Sequence, residues 1–473
     1  MPSLGEVLDR AWKIHQSGNL DAAMQSYRGV LRQLPDCAEA WVYLGIAQFD
    51  RRDFAGSVES YRRGISLKAN FPIAWNNLGN SLRMLGETDE ADQCFESALQ
   101  QQPGYLSAIK NRGTLWVWSG DIQRGLDWYS RGLQINPDDA ELHRNLGVIS
   151  LLMGDYQRGF DEYRWRWKMP GVARPAVCRG LTNAQGQPAH VWNGQAVQGR
   201  SVLLYPEQGH GDAIQFLRMA SAFKADGARV LVMCHPDSMA LFSSMDGVDQ
   251  FLPELPGVPI PPVDYHATFI EAFDGLYQRD QCLFTGEDLF DGGDGYLGCC
   301  ENLTGYWSAH LDSMLGHRDP SKLRVGLNWQ GNPQHHADVY RSVPLSEFES
   351  LAQTKHLDLV SLQFGSGTEQ LDQVPWGGSI HRLPSEIDRT GRFTDTAAIL
   401  KSLDVVVTTD TAIAHLAGAL GVRAELLLGR VPDWRWGTTG DSTPWYPSTR
   451  LHRQAKLGHW QPVIESVRSA LEA

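Results

Sequence analysis

The sequence predicts two architectures in one chain: an all-α solenoid of repeated helical hairpins over residues 1–168, then an α/β region of two facing parallel-sheet units over residues 200–320 and 321–473. Three observations predict it. Aromatic residues and glycines recur at a fixed period through the first third of the chain. That period stops after Trp165-Arg166-Trp167, and a Pro- and Gly-containing linker follows over residues 169–199. Beyond it, short apolar runs alternate with glycine-rich turns and helical segments, and this alternation occurs twice.

The period is 34 residues, marked by Tyr27, Tyr61, Phe95, Tyr129 and Tyr163, and by Gly45, Gly79, Gly113 and Gly147 with Ala11 in register ahead of them. Pro35, Pro103 and Pro137 share a third register, with Ala69 in the missing slot, and Trp41 and Trp75 open two of the repeats. Glycine and alanine let paired helices approach closely, the aromatic fills the gap between one repeat and the next, and proline ends the second helix. A single hairpin cannot bury its apolar face alone, so the repeats must stack into a solenoid with a concave groove. About five such units resemble the tetratricopeptide repeat. Asn77, Asn111 and Asn145 fall in one register on successive first helices, with Asp9 and Tyr43 in the two earlier slots. An Asn amide both donates and accepts, so it suits a peptide backbone of any sequence. The register resembles the asparagine ladder of the O-linked N-acetylglucosamine transferase, which implies that this face holds an acceptor peptide. The alternative is that Asn is simply common at this repeat position.

Ser201–Tyr205 reads as a buried parallel strand, Glu207–Asp212 as a glycine-rich turn, Ala213–Ala225 as a helix and Arg229–Met233 as the next strand. Phe251–Pro320 reads as a less regular stretch. A second Rossmann-like unit follows, with strands at Leu323–Trp329, Leu357–Gln363, Val405–Thr408 and Ala424–Leu428. Its helices are expected at Thr394–Leu403, Ala412–Leu420 and Gln461–Leu471.

Val407–Leu420 (VTTDTAIAHLAGAL) resembles the Asp-Ser/Thr-Gly-x-x-His segment of heptosyltransferase-like GT-B enzymes, and Gly209–Asp212 is similar to their Gly-x-x-Gly-Asp turn. Glu207–Arg218, Val325–Pro333, Arg341–Pro344, Pro432–Trp436 and Pro444–Pro447, together with the repeats, resemble bacterial TPR-coupled glycosyltransferases, some of which glycosylate flagellin. The resemblance implies a GT-B fold and an inverting, metal-independent single displacement. It implies that Asp212 takes the proton of the acceptor hydroxyl. Asp410, Thr411, Ala412 and His415 would form the donor site, where free backbone N–H groups of a helix start hold a diphosphate. Asn328, Gln330 and Asn332 flank the first strand of the second unit, and Arg341 would neutralise the leaving phosphate. Gln208, His210, Trp434 and Trp436 are candidates for base or sugar contacts, although the two tryptophans equally suit packing of the C-terminal loop. Plainer roles stand beside these: Asp212 and Asp410 as helix caps, His415 as a core histidine and Arg341 as an ion-pair partner of Asp338. Ala412 stands where heptosyltransferases usually carry Gly, and Gly429–Trp436 lacks their pattern, which argues against a heptose donor.

Composition bounds the partners. Most of the formal net charge of −13 lies after residue 168, which argues against nucleic acid. The seven cysteines, Cys178 among them, are scattered without metal-ligand spacing and read as reduced thiols. Glu287, Asp288, Asp291 and Asp294 lack the calcium-loop spacing and read as a solvated turn, so no metal and no cofactor is expected. The start of the chain lacks the apolar core of a signal peptide, and no stretch is apolar enough to span a bilayer; a cytoplasmic location is expected. The sequence therefore points to a glycosyltransferase moving a sugar from a nucleotide-activated donor to Ser or Thr of a protein held by the repeats. The alternative is a protein-interaction scaffold with a degenerate, non-catalytic transferase region.

Overall fold

The computed structural model describes residues 3–175, 179–282, 295–335 and 337–472. Cys178, Glu287, Asp288, Asp291 and Asp294 lie outside the described residues. The chain divides into two compact units, one of Met1–Ser150 with Asp161–Met169, the other of Leu151–Phe160 with Pro170–Ala473.

The N-terminal region is a run of helical hairpins: α1 (Leu4–Gln16) with α2 (Leu20–Gln33), α3 (Ala38–Asp50) with α4 (Phe54–Leu67), α5 (Pro72–Met84) with α6 (Thr88–Gln101), and α7 (Leu106–Ser119) with α8 (Ile122–Ile135). Helices α9 (Ala140–Leu152) and α10 (Tyr156–Tyr163) continue the pattern across the boundary of the two units. The 34-residue period has a physical basis at each hairpin. In four of the five hairpins the second helix starts on a side-chain cap, Glu87 making none: Asn19 accepts from Ala22 N at 3.2 Å, Asp53 from Gly56 N at 3.0 Å, Asp121 from Arg124 N at 3.2 Å and Asp155 from Arg158 N at 3.1 Å. The residue before each cap is left-handed: Gly18, Gly86, Gly120 and Gly154, with Arg52 at φ 65° in the fifth slot.

Inside a hairpin, the glycine of the first helix meets the aromatic ring of the second. A Cβ on Gly45 would lie 2.7 Å from Tyr61, on Gly79 2.7 Å from Phe95, and on Gly113 2.6 Å from Tyr129. The ring fills space within its own repeat and also meets the next one, as Tyr27 does on Tyr43 with centroids 5.6 Å apart and Tyr61 does beside Ala74 and Leu78. At the proline register, the residue opening the next hairpin closes the turn. Trp41 Nε1 donates to Pro35 O at 2.8 Å, Trp75 Nε1 donates to Ala69 O at 3.1 Å, and His143 Nε2 lies 2.7 Å from Pro137 O.

The second unit contains two sheets, parallel throughout. The first has the order β1 (His190–Val191), β5 (Tyr265–Thr268), β2 (Ser201–Tyr205), β3 (Arg229–Cys234), β4 (Gln250–Pro253). The second has the order β11 (Thr449–Arg453), β10 (Ala424–Leu428), β9 (Val405–Thr409), β6 (Leu323–Asn328), β7 (Leu357–Ser361), β8 (Ile380–Arg382). Two expectations need correcting. The linker supplies β1, which pairs Val191 with His266 at the sheet edge. The stretch read as irregular supplies β5 and the helices Phe269–Asp280 and Glu301–Leu315. Both were hard to read because their strands are only two to four residues long, too short to show a period.

The second sheet is buried on both faces, with Val405–Thr409 and Ala424–Leu428 buried at every position. Val325, Leu327, Trp329, Phe348 and the C-terminal helix residues Ile464 and Val467 belong to an apolar cluster on it. A second cluster is aromatic: Phe160, Phe216, Phe273, Trp434 and Trp445 meet with ring centroids 5.3–6.4 Å apart. It ties α10 and the first sheet's helices to the turn after β10. Among the described residues, no helix is long and apolar enough to cross a membrane.

Candidate functional site

The strand ends converge on two short helices. His210–Leu217 follows β2 and Ala412–Ala419 follows β9, and the two pack against each other. Ligands in open α/β folds bind beyond the carboxyl ends of parallel strands, where helix N-termini present free N–H groups. The closest approach is between Gly211 and His415: a Cβ on Gly211 would lie 2.8 Å from His415 Cδ2 and 3.7 Å from the Ala412 Cα.

Asp212 sits in the first turn of its helix, not at the N-cap, which is Gly209. Its Oδ2 accepts the Gly209 N–H at 3.1 Å, and its Oδ1 accepts Nη2 of Arg435. The side chain is 23% exposed. Burial pushes the Asp212 carboxyl above its ordinary value, against the pull of the Arg435 guanidinium. Arg435 is a residue of this junction that motif reading did not single out. It lies on the 3-10 turn Trp434–Trp436, is 5% exposed, and also donates through Nη1 to Asp433 Oδ1 at 2.8 Å. One guanidinium therefore joins a carboxylate from each sheet's loops. The only signal in the sequence was a buried-type arginine between two tryptophans, which reads equally well as packing.

Thr411 is the N-cap of Ala412–Ala419, its Oγ1 accepting the Ile413 N–H at 3.3 Å and donating to Asn328 Oδ1 at 2.9 Å. Thr408 Oγ1 donates to the same oxygen at 3.1 Å. The Asn328 amide nitrogen donates to Gln363 Oε1 at 2.8 Å, and the residue is 5% exposed. Asn328 therefore positions Thr411 through its amide oxygen. Gln363, also missed, is the clamp of this corner. Its oxygen accepts Asn328, the Trp329 N–H and the Gln330 N–H, and its nitrogen donates to the carbonyls of Gln330 and Ser366. Gln330 Oε1 accepts from Gln370 at 2.9 Å, and Asn332 is exposed, capping the Gln334 N–H at 2.9 Å. Arg341 reaches back, Nη1 donating to the Asp410 carbonyl at 3.0 Å, with the Gly331 backbone pressed on its guanidinium. Asp338 stands 3.7 Å away.

Electrostatics at this junction are uneven. Burial and the charge of Asp433 push the Asp410 carboxyl up to about 6. Burial, aided by the Arg435 charge, pushes His415 down to about 3, so its ring is neutral near pH 7. His415 stacks on Trp436 at 5.2 Å, and its Nδ1 lies 3.0 Å from the Tyr446 hydroxyl. His210 opens its helix beside His235 and Phe393, and Gln208 is exposed. Burial, then Arg392, lowers the His210 pKa. Trp434 and Trp436 are 5% and 2% exposed, respectively. Trp434 packs beside Phe216 and Phe273 with centroids 6.2 and 6.4 Å away, which fits the packing alternative.

In the repeats, Asn77, Asn111 and Asn145 are all half-buried. Asn76, 4% exposed, links two of them: its Nδ2 donates to Asn77 Oδ1 at 3.1 Å and its Oδ1 accepts Asn111 Nδ2 at 2.9 Å. Asn145 Oδ1 accepts from Arg144 at 3.1 Å.

Comparisons with known proteins place the two regions unequally. Two Tetratricopeptide repeat models match, over residues 16–72 and 72–105. The chain is similar to Protein FlbA of Caulobacter vibrioides, 23% identical over 483 positions that cover 95% of this chain and 69% of that protein. It is 28% identical over 114 positions to the Protein CTR9 homolog of Arabidopsis thaliana, covering 23% of this chain and 10% of that one. Among solved structures, the crystal structure of MamA aligns with 35% of this chain and 93% of its own, at 19% identity and a TM-score of 0.30. The matched models and the capped, ring-filled hairpins together make the N-terminal region of this chain a tetratricopeptide-repeat array, a protein-interaction module.

Proposed function

We propose that the chain is a GT-B glycosyltransferase that moves a sugar from a nucleotide-activated donor to a hydroxyl of a protein recruited by the repeats. The observation that carries this reading is the meeting of the helix that bears Asp212, through Gly211, with the start of the Ala412–Ala419 helix at the ends of two parallel sheets. One side offers a carboxylate to take a proton, and the other offers N–H groups, the Thr411 hydroxyl and Arg341 to hold a phosphate. In the reaction, the acceptor oxygen bonds to the anomeric carbon while Asp212 takes its proton. The anomeric carbon–phosphate oxygen bond breaks, and its electrons leave with the nucleotide. Asn328 and Gln363 keep Thr411 and the strand ends in place and touch no substrate.

The test is incubation with a panel of nucleotide sugars, reading sugar transfer to protein and slow donor hydrolysis. A transferase consumes at least one donor, and Asp212→Asn abolishes that turnover because an amide cannot accept the proton. A scaffold with a degenerate domain turns over none of the panel.

A further inference from the structure

We infer that Arg435 is a phosphate-binding residue of this site and that Asp212 and the donor phosphate compete for it, so that the base is released only when a donor is in place. The inference rests on the transferase reading of Asp212 given above.

The geometry distinguishes the two carboxylates on the guanidinium. Asp433 is two residues from Arg435 and doubly tied to it, by the side-chain pair at 2.8 Å and by the Arg435 N–H at 3.1 Å. This pair belongs to one turn and moves as one piece. Asp212 comes from the other sheet, 223 residues away, and among the described residues its other hydrogen bond is from the Gly209 N–H. When the site opens to an anion, the Asp212 contact is the one that yields.

Charge makes such an exchange necessary. Asp212, Asp410 and Asp433 share the guanidinium groups of Arg435 and Arg341, Glu207 adds to the negative charge on Asp212, and His415 is neutral. A diphosphate placed at the helix start meets guanidinium groups already committed to carboxylates. A bidentate guanidinium–phosphate pair replaces the Asp212 contact at little net loss. Asp212, freed of its cation, gains the basicity needed to accept the acceptor proton, which a carboxylate held by arginine lacks. After the anomeric bond to phosphate breaks, Arg435 bears the charge left on the nucleotide. Release of that nucleotide returns Arg435 to Asp212.

Calorimetric titration with inorganic pyrophosphate and with a panel of nucleoside diphosphates tests this in three proteins. Wild type binds at least one of these ligands. Asp212→Asn removes the competitor and binds that ligand about tenfold more tightly, an effect no merely structural role of the pair produces. Arg435→Met binds it about thirtyfold more weakly while the bare nucleoside is unaffected. Should Arg435→Met fail to fold, the Asp212→Asn titration decides by itself. Wild-type binding that is unchanged or weakened in Asp212→Asn overturns the competition and leaves the transferase reading standing. If wild type binds neither pyrophosphate nor any diphosphate, both are overturned.

Discussion

Gly211 touches the ring of His415, and the missing side chain at Gly211 is what lets two helix starts from different sheets meet. The ring cannot retreat. It is 6% exposed, stacked on Trp436 and bonded to Tyr446. Gly211→Ala would place a methyl group 2.8 Å from His415 Cδ2. The expected result is a loss of about 1–3 kcal/mol of stability, despite the better helix propensity of alanine. Nucleotide binding should weaken with it, because the two turns move apart. Thermal melting and titration with nucleoside diphosphates check both.

Arg341 holds the Asp410 carbonyl just ahead of the helix start. Arg341→Ala should weaken nucleoside diphosphate binding about tenfold or more and bare nucleoside binding little, because its proposed partner is the phosphate. Equal losses for both ligands would make it a support of the 331–341 loop.

His415 carries a pH signature. Its folded pKa, about 3, lies below its ordinary 6.5, so stability is lost as pH falls from 6.5 towards 3. Asp410 acts in the opposite sense. Raised from 3.8 to about 6, it contributes stability that is fully present below 3.8 and lost as pH rises through 6. His415→Gln should flatten the acid side of the stability curve by a few kcal/mol between those limits, read as melting temperature against pH. A variant as acid-sensitive as wild type would mean that the ring is not buried neutral.

Arg52 is left-handed where four other repeats have glycine. Arg52→Gly should raise stability by about 0.5–1 kcal/mol, since a side chain is disfavoured there. A lowered melting temperature would show that Arg52 contacts outweigh the backbone strain.

The asparagine register now has a structural cost attached. Replacing Asn77, Asn111 and Asn145 by Ala strips the buried Asn76 amide of both neighbours, so about 1–3 kcal/mol should be lost, although helix propensity improves. With helicity intact by circular dichroism, transfer to a protein acceptor should show a raised acceptor KM with unchanged kcat. Donor hydrolysis should not change. Unaltered acceptor dependence would reduce the register to a feature of the repeat itself.

The sequence by itself determined what is local or periodic. The 34-residue register fixed the hairpins, because caps, left-handed turns and ring-on-glycine contacts each repeat with it. The strands β2, β6, β9 and β10 were legible because a strand buried on both faces must be a continuous apolar run. The helix start at Asp410-Thr411-Ala412 was legible for a local reason too, and the structure puts its cap on Thr411. Tertiary structure alone decided the rest. The two-residue strand β1 exists only because β5 is beside it. Asn328 and Gln363, 35 residues apart, are joined through their amides. Trp434 is core because Phe216 and Phe273 pack beside it. Arg435 gained its importance from a carboxylate 223 residues away. The strength of a charge pair depends on burial and distance, and a linear sequence records neither.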